Sequence, residues 1–170
     1  LKKAHALNLA ALRPKSIEKT SVKLAVSIFN ESTRDALYYY ASHEGKPEWT
    51  GTADFISFIF KLWSVMNVKT CTKGKHQRNY VMDPVRGSDD WKLHFLQETA
   101  DFLINWEKAK TPGLSKETFL ALRQSCSALA ECSSYLLEKR GFKFVLLGQL
   151  QSDPLESRFG WLRQLSGANY

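Results

Sequence analysis

The stretch from Thr52 to Asn67, TADFISFIFKLWSVMN, decides the fold class. Phe55, Ile59, Leu62, Trp63 and Met66 recur at spacings of three and four, which places them on one face of a helix. Phe58 and Phe60 make the segment apolar nearly all round, so the reading is a central, buried helix.

The same period dominates on both sides. Upstream, Ser16 can cap a helix running to about Asn30, with Val22, Ala25, Val26 and Phe29 on one face. Ser32 can cap a short successor ending near Tyr40, and SHEGKPEWTG (42–51) reads as a loop from its Gly and Pro. Downstream, residues 68–90 are irregular and locally basic, with Lys69, Lys73, Lys75 and Arg78 close together; a solvated loop and a phosphate contact both fit. Asp89 or Asp90 starts a fourth helix with Phe95, Thr99, Phe102, Leu103 and Trp106 as its stripe, and KTPGLS (110–115) ends it. Ser115 caps a fifth, with Leu114 placed to staple onto Phe119; Phe119, Leu122, Cys126, Leu129 and Leu136 repeat down to Gly141. Cys126 thereby reads as a small core residue. FKFVLLG (142–148) reads as one short strand. The fold class expected is mainly α.

At 170 residues the chain is one ordinary domain, large enough for a core without covalent staples. Hydrophobic residues at 44% and charged residues at 24% exclude disordered and collagen-like classes. No apolar run approaches the roughly 20 residues of a membrane-spanning helix. Twenty-four Lys and Arg against 17 Asp and Glu give a formal charge of +7, which favours an anionic partner. Three cysteines, Cys71, Cys126 and Cys132, fit neither a disulfide framework nor a zinc site and suggest a reducing compartment. Opening on Leu1 without a signal peptide and stopping at Tyr170 suggest a piece of a longer protein.

Catalytic templates are absent: the sequence has no Walker or Rossmann glycine loop, no paired Cys or His metal motif and no serine elbow. The four histidines, His5, His43, His76 and His94, are scattered. The best candidate is SDPLESRFGWLRQLSG (152–167). Asp153, Pro154 and Glu156 can form a helix start, with Asp153 as N-cap and Glu156 closing a capping box. The other reading directs the two carboxylates into a cleft to hold a divalent cation. Mg²⁺ takes one or two carboxylates together with waters and substrate phosphates, so these two alone make an incomplete site.

LLGQLQSDPLESRFGWLRQLSGANY (146–170) resembles the C-terminal part of the P-element and THAP-type DNA transposases, close to their QD-x-L-E-x-x-F-x-x-x-R motif. The motif positions here are Ser152, Asp153, Leu155, Glu156, Phe159 and Arg163. SIEKTSVKLAVSIFNESTRDALYYY (16–40) is similar to the segment that opens the family's helical insertion, and FISFIFKLWSVMNVKT (55–70) to its F-D-x-x-N helix. The resemblance implies a tail of a preceding RNase H-like part over 1–15, a helical GTP-binding-type insertion domain over 16–145, and the start of the C-terminal RNase H-like segment over 146–170. It implies that Glu156 is the third acid of a Mg²⁺ site completed by residues outside the chain, on the final catalytic helix of a split RNase H-like domain. Two metals about 4 Å apart would activate the attacking oxygen and stabilise the leaving one during DNA strand cleavage and joining. The other two acids are absent, so the chain alone is expected to be inactive.

The resemblance also implies a guanine-nucleotide site: Asp153 and Asn67 as contacts, Trp63 as stacking surface and Lys23 facing phosphate. Ser64 stands where the family pattern has aspartate, removing one strong acceptor. DNA as partner, self-association of the intact protein and a nuclear location follow from the same resemblance. Two readings stand beside the enzyme. One is a non-catalytic nucleotide- or DNA-binding helical module of a domesticated transposase; the other is a structural bundle mediating self-association.

Overall fold

Main-chain hydrogen bonding in the computed structural model, which describes residues 7, 9–111, 113–165 and 167 (for 153 and 154 the backbone only), builds eight α-helices and single 3₁₀ turns. The helices are α1 (Leu9–Leu12), α2 (Val22–Val26), α3 (Glu31–His43), α4 (Trp49–Met66), α5 (Lys73–Gln77), α6 (Trp91–Lys108), α7 (Lys116–Lys139) and α8 (Asp153–Leu165). The fold is mainly α. Among the described residues no helix is long and apolar enough to cross a membrane. The chain divides into two compact units, Leu1–Ser64 and Val65–Tyr170.

In the first unit the single helix expected from Ser16 to Asn30 is broken. Residues Ser16–Thr20 form a 3₁₀ turn, Ser21 turns extended, and its hydroxyl accepts the Leu24 N–H at 3.3 Å to start α2 anew. Ser27 then returns its hydroxyl to the Leu24 carbonyl at 2.7 Å. Such short side chains offer the backbone local partners that compete with helix continuation. Val22 and Ala25, expected on a buried face, are exposed. The cap of α3 is Asn30 rather than Ser32: Asn30 Oδ1 accepts the Thr33 N–H at 2.9 Å. Phe29 meets Phe55 edge-on at 6.3 Å, and the Tyr38 hydroxyl donates to Asp54. Within α4, Ala53, Ile56, Leu62, Ser64 and Val65 are buried while Asp54, Lys61 and Trp63 are exposed, so the helix is less uniformly buried than its composition suggests.

The second unit is built on an α6–α7 hairpin. The side chain of Asp90 caps α6 at the Lys92 N–H (3.0 Å), and Ser115 caps α7 at the Thr118 N–H (3.3 Å). Leu93, Leu96, Ala100 and Leu103 bury against an α7 face carrying Phe119, Cys126 and Ala130. Near the connection Trp106 meets Phe119 at 5.2 Å with perpendicular rings, and Glu107 pairs with Arg123 at 3.6 Å. Phe102, expected in the stripe, is half exposed. Gly141, at φ +68, ends α7.

The strand expected at 142–148 reduces to one antiparallel pair, Val85 with Val145, at N···O distances of 3.0 and 2.8 Å. A ladder would next need residues 83 with 147 and 87 with 143. Those groups are committed to turns: Asp83 N–H donates to the Tyr80 carbonyl, Leu147 O accepts from Leu150, and Gly87 O accepts from Asp90. With both exits closed, the chain goes directly into the 3₁₀ turn Leu147–Gln149.

Candidate functional site

Two segments far apart in sequence form a corner at the start of the motif block. The Gly148 N–H donates to the Val68 carbonyl at 2.9 Å, and the Gln149 side-chain amide donates to the Lys69 carbonyl at 2.9 Å. Gly148 is buried because there is no room for more: a Cβ there would lie 2.9 Å from the carbonyl carbons of Asn67 and Val68. Glycine alone permits this backbone approach. At the same corner Lys73 Nζ donates to the Asn67 carbonyl at 2.6 Å, just past the C-terminus of α4. A cation there offsets the partial negative charge of the unpaired helical carbonyls. Burial, and secondarily Lys69 close by, hold the Lys73 ammonium below its ordinary pKa.

From the corner the chain enters α8. The Glu156 N–H donates to the Ser152 carbonyl at 2.9 Å, and the Ser152 hydroxyl donates to Glu156 Oε1. This corrects the expected capping box: Asp153 is the first helical residue, and Glu156 takes the hydroxyl of the residue preceding the helix. The side chain of Asp153 lies outside the described residues. Leu155, Phe159, Trp161, Leu162 and Leu165 are 48–64% exposed, an unusual apolar load for one helix to leave uncovered. Glu156, Phe159, Leu162 and Arg163 line a shallow cavity of about 600 Å³.

The other expected site residues are placed as follows. Trp63 is 38% exposed on α4 and Lys23 is exposed on α2, both in the first unit. Asn67 is half-buried at the corner of the second unit. Ser64 is 2% exposed, and its Oγ has no hydrogen-bond partner among the described residues. Among the described residues no group of three or more His, Cys, Asp or Glu could hold a metal ion. The sequence did not single out Gly148 or Gln149, and it placed Lys73 in the basic run without its contact to Asn67. Gly148 carried a signal, a glycine ending an apolar run; the Lys73 contact, six residues from its acceptor, carried none.

No family model matches the chain, and neither does any curated protein. Among solved structures it is similar to a chain of the Drosophila P element transposase strand transfer complex, with a TM-score of 0.70 and 20% identity. The match covers 95% of this chain and 36% of that one. The fold is P element transposase-like. At the level of the fold, that agrees with the resemblance drawn from residues 16–40, 55–70 and 146–170. The chain spans about a third of its neighbour's length.

Proposed function

We propose that this chain is the helical insertion (16–145) and the first part of the C-terminal RNase H-like segment (146–170) of a DNA transposase, or of a protein derived from one. In this reading it works in the nucleus on DNA, by metal-dependent strand cleavage and joining. The observation that carries the proposal is α8: a helix that starts at the motif residues, presents Glu156 to solvent and leaves its apolar side chains uncovered. Such a helix is built to pack on a further layer, as the final helix of an RNase H-like domain would on its sheet. The strand transfer complex that shares the fold supports DNA as the partner.

Glu156 is suited to the role of one metal ligand. It is exposed, and its hydrogen bond from Ser152 orients the carboxylate. One carboxylate completed by waters, phosphate oxygens and acids from elsewhere matches how Mg²⁺ is held, and the ion would supply Lewis-acid stabilisation of the displaced oxygen. Ser152 positions Glu156, and the corner at Gly148 fixes where α8 begins.

A guanine nucleotide is the second element of the proposal, and within the first unit Trp63 would offer the stacking surface and Lys23 the cation for phosphate. The exposure of Trp63 favours it. Ser64 does not serve, because it is buried in the helix interior.

The test is strand cleavage by the intact protein, wild type beside Glu156→Gln, with both melting alike. Loss of cleavage in the variant at unchanged stability is expected. Equal cleavage removes Glu156 from the chemistry and leaves it only its contact with Ser152 at the start of α8. Folded proteins that both fail to cut while binding DNA favour the binding-module reading.

A further inference from the structure

We propose that the segment from Lys69 to Arg78 is a docking surface for the phosphate backbone of DNA. The proposal rests on the reading of this chain as part of a DNA-acting protein, but it needs neither Glu156 nor a metal. Between Asp54 and Asp83 the sequence has no acid, and the stretch belonging to the second unit carries Lys69, Lys73, Lys75 and Arg78. Such a single-sign run on a folded surface is the electrostatic footprint of a polyanion site.

The structure separates these cations by task. Lys73 is half-buried and committed to the Asn67 carbonyl. Lys69, Lys75 and Arg78 are exposed, as is His76 between them, and neither Lys75 nor Arg78 makes an ion pair with a described residue.

Hydrogen bonds and close packing tie the backbone of the segment. The Asn79 N–H closes onto the Gly74 carbonyl at 2.9 Å, and Gly74 is buried so tightly on Asp83 that a Cβ would lie 2.9 Å from its Cγ. Asp83, the nearest acid in sequence, is half-buried beneath Gly74. Arg78 adopts a left-handed backbone at φ +50, a conformation costly for a residue with a Cβ, and this turn sets the direction of the segment after α5. Gln149 pins the Lys69 end. Cations held on a fixed backbone lose less freedom on meeting phosphates than cations on a loose tail.

Beside Arg78, Tyr80 is 73% exposed and packs edge-on to Trp91 at 6.2 Å. An exposed aromatic next to a basic run gives sugars or unpaired bases a stacking surface, which an acidic protein partner would not require.

The test is fluorescence anisotropy of a labelled random-sequence duplex with the 170-residue chain over 50–200 mM salt. Lys69→Gln/Lys75→Gln/Arg78→Gln is compared with a control of equal charge loss at the end of α7, Lys139→Gln/Arg140→Gln/Lys143→Gln. Three phosphate contacts contribute about 2.7 to the slope of log K against log salt, so the first variant flattens it by about that amount and the control leaves it in place. If the triple variant melts early, Lys75→Gln/Arg78→Gln carries the test with a flattening of about 1.8. Equal weakening by both triple variants, no duplex binding by wild type, or binding to phosphatidylserine vesicles in place of DNA would each overturn the proposal. The salt slope of duplex binding involves no strand cleavage, and the Glu156 test reads cleavage alone, so failure of this surface and failure of the Glu156 assignment are read separately.

Discussion

Gly148→Ala tests the corner that joins the end of α4 to the motif block. The added Cβ would sit 2.9 Å from the carbonyl carbons of Asn67 and Val68 and from Lys69 Cγ. The lysine carbon can move; the two backbone carbons cannot move without parting the Gly148–Val68 hydrogen bond. Overpacking of this kind costs about 1–3 kcal/mol. Loss of the main-chain bond adds about 0.5–1.5 kcal/mol, for a total of about 1.5–4.5 kcal/mol. In a protein of this size that is a fall in Tm of about 3–18 °C, readable by circular dichroism or calorimetry. Gly160→Ala is the internal control, because nothing lies within 4 Å of a Cβ at that position in α8. It should stabilise by up to about 1 kcal/mol through helix propensity alone. A Gly148→Ala protein melting within about 1 °C of wild type would refute the close approach, and with it the account of how α8 is positioned.

Asp90→Ala removes the cap of α6 and strands the buried Lys92 ammonium, 2.9 Å from the carboxylate, so it should cost about 3–5 kcal/mol in urea unfolding; Asp90→Asn keeps the cap and should cost less. Ser64→Ala deletes a buried hydroxyl with no partner among the described residues and should raise stability by about 1–3 kcal/mol, with a loss of stability arguing for a contact at that hydroxyl. Thiol titration of the native chain should find Cys71 and Cys132 reactive and Cys126 silent until unfolding. Burial pushes the Cys126 pKa up to about 11, so its contribution is intact below the ordinary value of 9.0 and is lost as pH rises from there through 11. Unfolding midpoints between pH 8 and 11 should therefore fall less steeply in Cys126→Ala than in wild type.

What the sequence made legible was what local chemistry decides. Asp90, Ser115 and Gly141 mark the ends of α6 and α7 by side-chain oxygens and a left-handed glycine, and all three act as their residue types predict. Cys126 was placed in the core by helical spacing alone. The failures share a different cause. The run from Ser16 to Asn30 has helical period, but Ser21, Ser27 and Asn30 each capture a backbone group locally and divide it. Val145 lies in a sequence with strand composition, yet its neighbours' carbonyls and N–H groups are consumed by turns elsewhere in the chain. The corner depends on residues 80 positions apart, Lys69 and Gln149, and no local pattern encodes such a pairing. For the candidate site, the motif residues were readable in order, whereas the hydroxyl that orients Glu156 became visible only once the first turn of α8 was in place.

Metal rescue at Glu156 reaches the central claim most directly. A carboxylate suits Mg²⁺, whereas a thiolate favours softer ions. In the intact protein, Glu156→Cys should fail to cleave DNA in Mg²⁺ and regain cleavage when Mn²⁺ replaces it, with wild type active in both. Cleavage by Glu156→Cys in Mg²⁺ at the wild-type rate would contradict the assignment of Glu156 as a metal ligand.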